Sequence, residues 1–266
     1  MRTRCKLCAA SRERVFSAQV LNRYEVDYFY CDQCGLLQTE EPFWLDEAYA
    51  SAIADADTGL VRRNLSIARR LSAVLYFCFD RKGRYLDAAG GHGLLARLMR
   101  DVGFNFFWHD PYCENLFARG FERGRTRPPM DAITAFEVLE HLPDPFPFVK
   151  DLLAENDCRT LIFSTELFTG SPPDPEAWWY YTPTTGQHVS FYQKRTLEQL
   201  GQKLSLRLYS NRGIHMLTDR PVNGMLFNFL TAMGSWMGHG WARVRMRSLT
   251  FSDHEHIVGA GKTRAD

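Results

Sequence analysis

A chain of 266 residues, 45% hydrophobic and 24% charged, can fill the core of one α/β domain plus a small module, which excludes disordered, collagenous and short-peptide classes. Lysine and arginine (32) nearly cancel aspartate and glutamate (31), so the summed charge offers no field to draw in nucleic acid or an anionic membrane. No nucleic-acid partner is therefore expected.

The amino terminus, Met1-Arg-Thr-Arg-Cys-Lys-Leu-Cys8, has basic residues but no apolar run behind them, so a cytoplasmic location is expected. Residues 1–45 read as a zinc-ribbon module. Cys5/Cys8 and Cys31/Cys34 form two Cys-x-x-Cys pairs separated by 22 residues. Four thiolates complete a tetrahedral Zn²⁺ shell and leave no position for a substrate, so the expected ion is structural. Between the pairs, Tyr24, Val26, Tyr28 and Tyr30 alternate with Glu25 and Asp27, the period of a half-buried strand. Residues 46–80 follow as a helical connection, because Val61, Leu65, Ala68, Leu71, Leu75 and Phe79 recur every three or four positions.

From residue 81 to 219 strand and helix signals alternate. Strands are expected at 84–88, 105–109, 131–136, 160–165, 204–209 and 214–217. Helices are expected at 94–102, 147–155 and 196–203, the last opened by a capping box of Thr196 and Gln199. This rhythm predicts the fold class: α/β, with a Rossmann-like, doubly wound, mostly parallel sheet behind the small N-terminal zinc ribbon. The stretch 221–242 has no charged residue, yet Asn223, Asn228, Thr231, Ser235 and His239 interrupt it, so no transmembrane segment is expected. Residues 220–266 show no clear period. Trp236, Met237 and Trp241, flanked by Arg243, Arg245 and Arg247, form a tail expected to pack on the core, with a partner, a second copy or a membrane face as the alternatives.

Two stretches carry chemistry of the cofactor kind. In Tyr85-Leu-Asp-Ala-Ala-Gly-Gly-His-Gly-Leu94 a strand ends in an acid, then a glycine-rich turn opens a helix, which suits a nucleotide-like ligand. The spacing also fits an NAD(P)-dependent oxidoreductase, but Asp87 favours a ligand with a cationic amino-acid end over a pyrophosphate. Asp110, ending the next strand, can accept ribose hydroxyls or serve as an ordinary turn acid before Pro111.

With Asp131-Ala-Ile-Thr-Ala-Phe-Glu-Val-Leu-Glu-His-Leu142 the chain resembles class I S-adenosylmethionine-dependent methyltransferases of the small-molecule type over about residues 80–215. Its loop departs from their "D-x-G-x-G-x-G" pattern at Ala89. The cysteine module is similar to the one that precedes the methyltransferase domain in sugar C-methyltransferase-like proteins. The resemblance implies S-adenosylmethionine bound along Asp87, Ala89, Gly91, Gly93, Asp110, Pro111, Phe136 and Glu137. It also implies a small-molecule acceptor, such as a nucleotide sugar or glycan, against Trp178, Trp179, Tyr180, Tyr181 and Gln187. His188 can act as general base toward a hydroxyl or as a structural hydrogen-bonder, and His141 has the same two readings. A non-catalytic cofactor-binding partner protein and a nucleic-acid modifier remain rival functions, the latter lacking the motif used for amino methylation of bases.

Overall fold

The computed structural model describes residues 3–49, 58–124 and 128–262. Parts of all four expected segments, at 1–2, 50–57, 125–127 and 263–266, lie outside the described residues. In chain order the elements are β1 (Thr3–Arg4), β2 (Ser11–Val20), β3 (Tyr24–Tyr30), β4 (Leu37–Thr39), α1 (Leu45–Ala48) and α2 (Leu60–Cys78). Then come β5 (Arg84–Ala88), α3 (Leu94–Val102), β6 (Asn105–His109), β7 (Ala132–Ala135), α4 (Pro145–Glu155), β8 (Thr160–Phe163) and β9 (Ser190–Phe191). The last are α5 (Lys194–Lys203), β10 (Arg207–Asn211), β11 (Ile214–Thr218), α6 (Gly224–Thr231), α7 (Ser235–Arg245) and α8 (Thr250–Lys262). Two compact units result: Met1–Asp57, Ala135–Glu155 and Leu161–Asp219 in the first, Thr58–Thr134, Asn156–Thr160 and Arg220–Asp266 in the second.

In the first unit an antiparallel sheet runs β1-β2-β3-β4-β9. The alternation around residue 26 has the expected result: Val26 and Tyr28 are buried while Glu25 is exposed. Residues 190–191 add the sheet's last strand, pairing Phe191 with Leu37 and Ser190 with Gln38. Val26, Tyr28, Leu37, Trp44, Tyr180, Tyr181 and Phe191 share one core cluster. The neighbouring strands β8, β11 and β10 lie side by side in that order. β10 and β11 are antiparallel, within the expectation of a sheet that is mostly, not wholly, parallel. Arg212 and Gly213 have φ of 49° and 74°, the two successive left-handed residues that a tight hairpin requires. The capping box of α5 is corrected. Gln193 is the cap, with its side chain receiving the third residue's backbone N–H, and Thr196 Oγ1 answers the Gln193 N–H at 3.1 Å.

In the second unit β6, β5 and β7 are parallel neighbours, with Asp87 beside Trp108 on one side and Thr134 on the other. Strand, glycine turn, helix and parallel strand thus succeed one another over 84–109, the Rossmann-like arrangement. The aperiodic tail folds into α6, α7 and α8. Gly238 of α7 lies so close to α2 that an added Cβ would stand 2.7 Å from that of Ala73. Asp253 of α8 is buried in a pair with Arg100 of α3, Nη2 to Oδ1 2.6 Å and Nε to Oδ2 2.8 Å. No helix among the described residues is long and apolar enough to cross a membrane.

Candidate functional site

The glycine turn of the second unit is built around one buried acid. Asp87 is 2% exposed, and its Oδ1 accepts the Thr134 hydroxyl at 2.8 Å. Its Oδ2 has no hydrogen-bond partner. Burial disfavours the charged carboxylate and pushes its pKa up to about 7. Ala89 follows with φ 53°, a left-handed conformation that costs a β-carbon about 1–2 kcal/mol. Gly93 has φ 85°, and a Cβ there would stand 2.7 Å from Asn115 Oδ1. At Gly91 an added Cβ would meet nothing within 4 Å, so this part of the turn faces open space.

Asp110 braces the turn. Its Oδ2 accepts the Gly91 N–H at 2.9 Å, while Oδ1 accepts those of Tyr112 and Cys113 at 2.8 and 2.9 Å. Oδ1 has both of its lone pairs engaged, whereas Oδ2 keeps one for a further donor. Pro111 is exposed beside it.

The other named groups belong to the first unit. Phe136 is half-buried, and Glu137 has φ 56°, a second left-handed residue without glycine's freedom. Its N–H donates to Ser164 Oγ at 2.9 Å, and the Ser164 hydroxyl donates back to the Glu137 carboxylate. Three residues on, Glu140 is fully buried and neither carboxylate oxygen has a regular hydrogen-bond partner. Burial, and then the charge of Glu137, push its pKa up to about 8. One ligand atom each of Glu140, His141 and His188 lies within 4.8 Å of the others. The two imidazoles meet edge to face with centroids 4.8 Å apart. His188 Nδ1–H donates to the Tyr180 carbonyl at 2.7 Å, and His141 Nδ1–H to that of Gln187 at 3.1 Å, with the Tyr49 hydroxyl 2.8 Å from the same nitrogen. A carbonyl can only accept, so each Nδ1 carries the hydrogen and each Nε2 the lone pair. Burial lowers both pKa values, to about 4 for His188 and about 3 for His141, so both rings are neutral near pH 7.

Among the expected acceptor residues, Trp179 is 71% exposed and Trp178 half-buried, whereas Tyr180 and Tyr181 are 2% exposed. Tyr181 packs against Tyr28 and Phe191, and its hydroxyl donates to the Pro173 carbonyl at 3.0 Å. Gln187 Nε2–H donates to the Ala48 carbonyl at 2.9 Å.

The four cysteines converge through two copies of one turn. Ala9 N–H donates to the Cys5 carbonyl at 2.9 Å as Gly35 N–H does to that of Cys31 at 2.7 Å. Cys5 N–H reaches the Ala10 carbonyl at 2.8 Å as Cys31 N–H reaches that of Leu36 at 2.9 Å. Ala9 and Gly35 are both left-handed. Sγ–Sγ distances are 3.5 Å for Cys5–Cys34 and Cys8–Cys31, and all four sulfurs lie within 4.8 Å of one another. Four sulfurs around a zinc with bonds of about 2.3 Å stand about 3.8 Å apart, so the set has the size of a zinc shell. The Cys34 hydrogen bond lowers the Cys5 pKa to about 5, while burial raises that of Cys31 to about 11. From α5, Thr196 Oγ1–H donates to the Cys34 carbonyl at 2.8 Å and Lys203 Nζ to that of Leu7 at 2.6 Å, clamping both knuckles.

Thr134, Ser164, Tyr49 and the depth of Glu140 escape sequence reasoning. None of them carries a local signal, since Glu140 stands among Glu137, His141 and apolar residues like any acid at a helix start.

Residues 61–211 match the family model of a methyltransferase domain. No curated protein gives a significant match. Similar solved structures include TnmH at 17% identity and TM-score 0.48, covering 66% of this chain and 60% of that one. Magnesium protoporphyrin IX methyltransferase ChlM from Synechocystis PCC 6803, solved with bound SAH, is 13% identical at TM-score 0.39, covering 66% and 94%. Mitomycin 7-O-methyltransferase MmcR is 14% identical at TM-score 0.44, covering 65% and 59%. The chain thus spans about three fifths of the length of TnmH.

Proposed function

The chain belongs to the family of methyltransferase domains, and from that premise we propose that it transfers a methyl group from S-adenosylmethionine to a hydroxyl of a small molecule, a sugar or glycan-related acceptor such as a nucleotide sugar. In this reading residues 1–45 are a structural zinc module held by Cys5, Cys8, Cys31 and Cys34, and 81–219 the transferase domain. The sugar-like acceptor is supported by the similarity of the cysteine module to that of sugar C-methyltransferase-like proteins.

The observation that carries the cofactor assignment is Asp87: a fully enclosed carboxylate oxygen without a partner calls for a cationic donor, and an α-ammonium group supplies one. The lone pair left on Asp110 Oδ2 suits a ribose hydroxyl, and the open face at Gly91 leaves room for a ligand against the backbone. When bound, the cofactor supplies an electrophilic methyl on a sulfonium. The protein's share is orientation and proton handling. A neutral hydroxyl is a poor nucleophile, and His188 offers a neutral imidazole whose Nδ1–H is held by the Tyr180 carbonyl, so its Nε2 would be placed to take the proton that an acceptor hydroxyl gives up.

Calorimetry with S-adenosylhomocysteine and with NADH tests the cofactor. Binding of NADH alone would hand the chain to the oxidoreductases. In a transfer assay against candidate nucleotide sugars, His188→Ala is expected to lose about 10² to 10⁴ in turnover with S-adenosylhomocysteine affinity unchanged. Turnover near that of the wild type would reduce His188 to a structural residue and move attention to His141.

A further inference from the structure

We propose that Glu140, His141 and His188 form a second metal centre, a two-histidine, one-carboxylate site for a divalent transition-metal ion that keeps open positions for an oxygen of the acceptor. The inference deepens the function proposed above, since it takes this cluster as the acceptor's site, and it makes His188 Nε2 a metal ligand in place of a lone base.

The first support is the donor set. Two neutral imidazoles and a carboxylate, each offering a ligand atom within 4.8 Å of the others, are borderline nitrogen and hard oxygen donors that suit Zn²⁺, Co²⁺, Mn²⁺ or Fe²⁺. Three protein ligands leave at least one position unfilled, in contrast to the closed cysteine shell. The second is what lies behind the ligands. Ligating histidines usually donate their other ring N–H to a carbonyl or carboxylate, which fixes the ring and points the lone pair at the ion. His188 and His141 both do so, through Tyr180 and Gln187. The third is Glu140 itself. A fully buried carboxylate whose oxygens lack regular hydrogen-bond partners is costly unless something cationic meets it. Among the described residues no lysine or arginine pairs with it, and the only side-chain groups that reach its carboxylate, the Tyr180 and Thr165 hydroxyls, are neutral and share a hydrogen bond of 3.2 Å with each other. The backbone holds the acid in place, since the Val189 N–H donates to the Glu140 carbonyl at 2.8 Å and ties the short 3-10 turn Leu139–His141 to the segment carrying His188.

The test uses the full chain with the cysteine site saturated by Zn²⁺, titrated with Co²⁺ and followed by calorimetry and visible absorption. One equivalent is expected to bind, with d–d bands and no thiolate-to-cobalt charge-transfer band, since no sulfur is among the ligands. His188→Ala and His141→Ala are expected to weaken binding at least 100-fold. Glu140→Gln, which keeps the size of the buried side chain, should weaken it at least 10-fold with the circular-dichroism melt retained, and His254→Ala, on exposed α8, should leave it unchanged. The proposal is overturned if the wild type takes up no Co²⁺ beyond the level of Glu140→Gln, or if the bound ion shows the thiolate band. The outcomes separate the two readings: a His188→Ala enzyme that loses turnover in a wild type binding no metal keeps the base and removes the centre. Stoichiometric Co²⁺ in a protein inactive on every acceptor keeps the centre and removes the hydroxyl methyltransferase.

Discussion

At the cysteine knuckles four equivalent atoms arrive from two copies of one turn, whereas at the glycine turn the converging groups differ in kind: a buried carboxylate, a bracing carboxylate and bare backbone. The knuckles repeat the same two backbone hydrogen bonds around Cys5 and Cys31, and α5 clamps both from outside. Four thiolates would fill every ligand position of a tetrahedral ion, so on the reading proposed above this site serves stability alone. The glycine turn satisfies its own backbone through Asp110 and the Trp108 indole, then leaves Asp87 Oδ2 without a partner and the surface at Gly91 open. In the proposed function completeness goes with the structural site and incompleteness with the binding site. The same contrast sets the cysteine shell apart from the Glu140, His141, His188 cluster.

If the knuckles are a closed structural shell, breaking one ligand has the largest effect. Structural zinc contributes about 10–16 kcal/mol of apparent binding free energy in zinc-dependent modules, and it is folding free energy. Elemental analysis of wild-type protein purified without chelator should give zinc at the cysteine site, and Cys31→Ser should lose that zinc and melt the β1-β2-β3-β4-β9 sheet, read by hydrogen exchange at β3. A folded, metal-free wild type would sink the zinc assignment.

The open turn relies on its surroundings for rigidity, and the helix that leaves it is held by the Arg100–Asp253 pair, 5% exposed on both sides. Asp253→Ala leaves a buried guanidinium without its carboxylate and should cost about 3–5 kcal/mol, measured by denaturant unfolding. A loss under 1 kcal/mol would mean that α8 does not support α3.

The incompleteness of Asp87 has a pH signature. Its pKa is raised from 3.8 to about 7 by burial, so the folded state holds a proton that the unfolded chain has released. Stability from this group is therefore full below about pH 4 and falls as pH rises toward 7, by at most about 4 kcal/mol across the interval. Buried histidines with lowered pKa values act in the opposite direction, so the readout is the difference between wild type and Asp87→Asn at each pH. That difference should shift in favour of the variant from pH 4 to 7. A cationic ligand reverses the penalty: S-adenosylhomocysteine affinity should climb with pH through about 7 in the wild type and stay flat over the same range in Asp87→Asn. Equal pH slopes in the two proteins would remove Asp87 from the site.

Much of this contrast is legible in the sequence because it rests on local signals. Cys-x-x-Cys spacing reports a knuckle whatever surrounds it, and Asp87 followed by Gly90, Gly91 and Gly93 reports a strand, turn and helix within eight residues. The strands at 84–88 and 105–109 and the helix at 94–102 are also local, and the structure has them at those bounds. What stays hidden is decided at long range. That Ser190–Phe191 completes the cysteine module's sheet depends on a partner 152 positions away. Glu140 reads as an ordinary acid at a helix start, and only tertiary packing shows it enclosed between two histidines. The tail defeats periodicity because Gly238 and Ala242 bury a narrow face while Trp236, Met237 and Val244 stay exposed, leaving little apolar stripe to detect.

The smallest expected effect compares the two sites at the same backbone conformation. Ala9 closes the first knuckle at φ 62° and Ala89 opens the glycine turn at φ 53°, and Gly35 shows that glycine fits the equivalent place in the second knuckle. A left-handed alanine costs about 1–2 kcal/mol, while glycine adds about 0.4–1 kcal/mol of unfolded-state entropy, so Ala9→Gly and Ala89→Gly should each stabilise by about 0.5–1 kcal/mol. Function separates them. At the knuckle the relief has no effect on ligand binding, because the shell is already complete. At the turn the Ala89 methyl shapes a half-buried wall of the open site, so Ala89→Gly should raise the melting temperature yet change S-adenosylhomocysteine affinity by a few-fold, whereas Ala9→Gly changes the melting temperature alone. Unchanged affinity in both would show that Ala89 is strained for packing and does not form part of the ligand's wall.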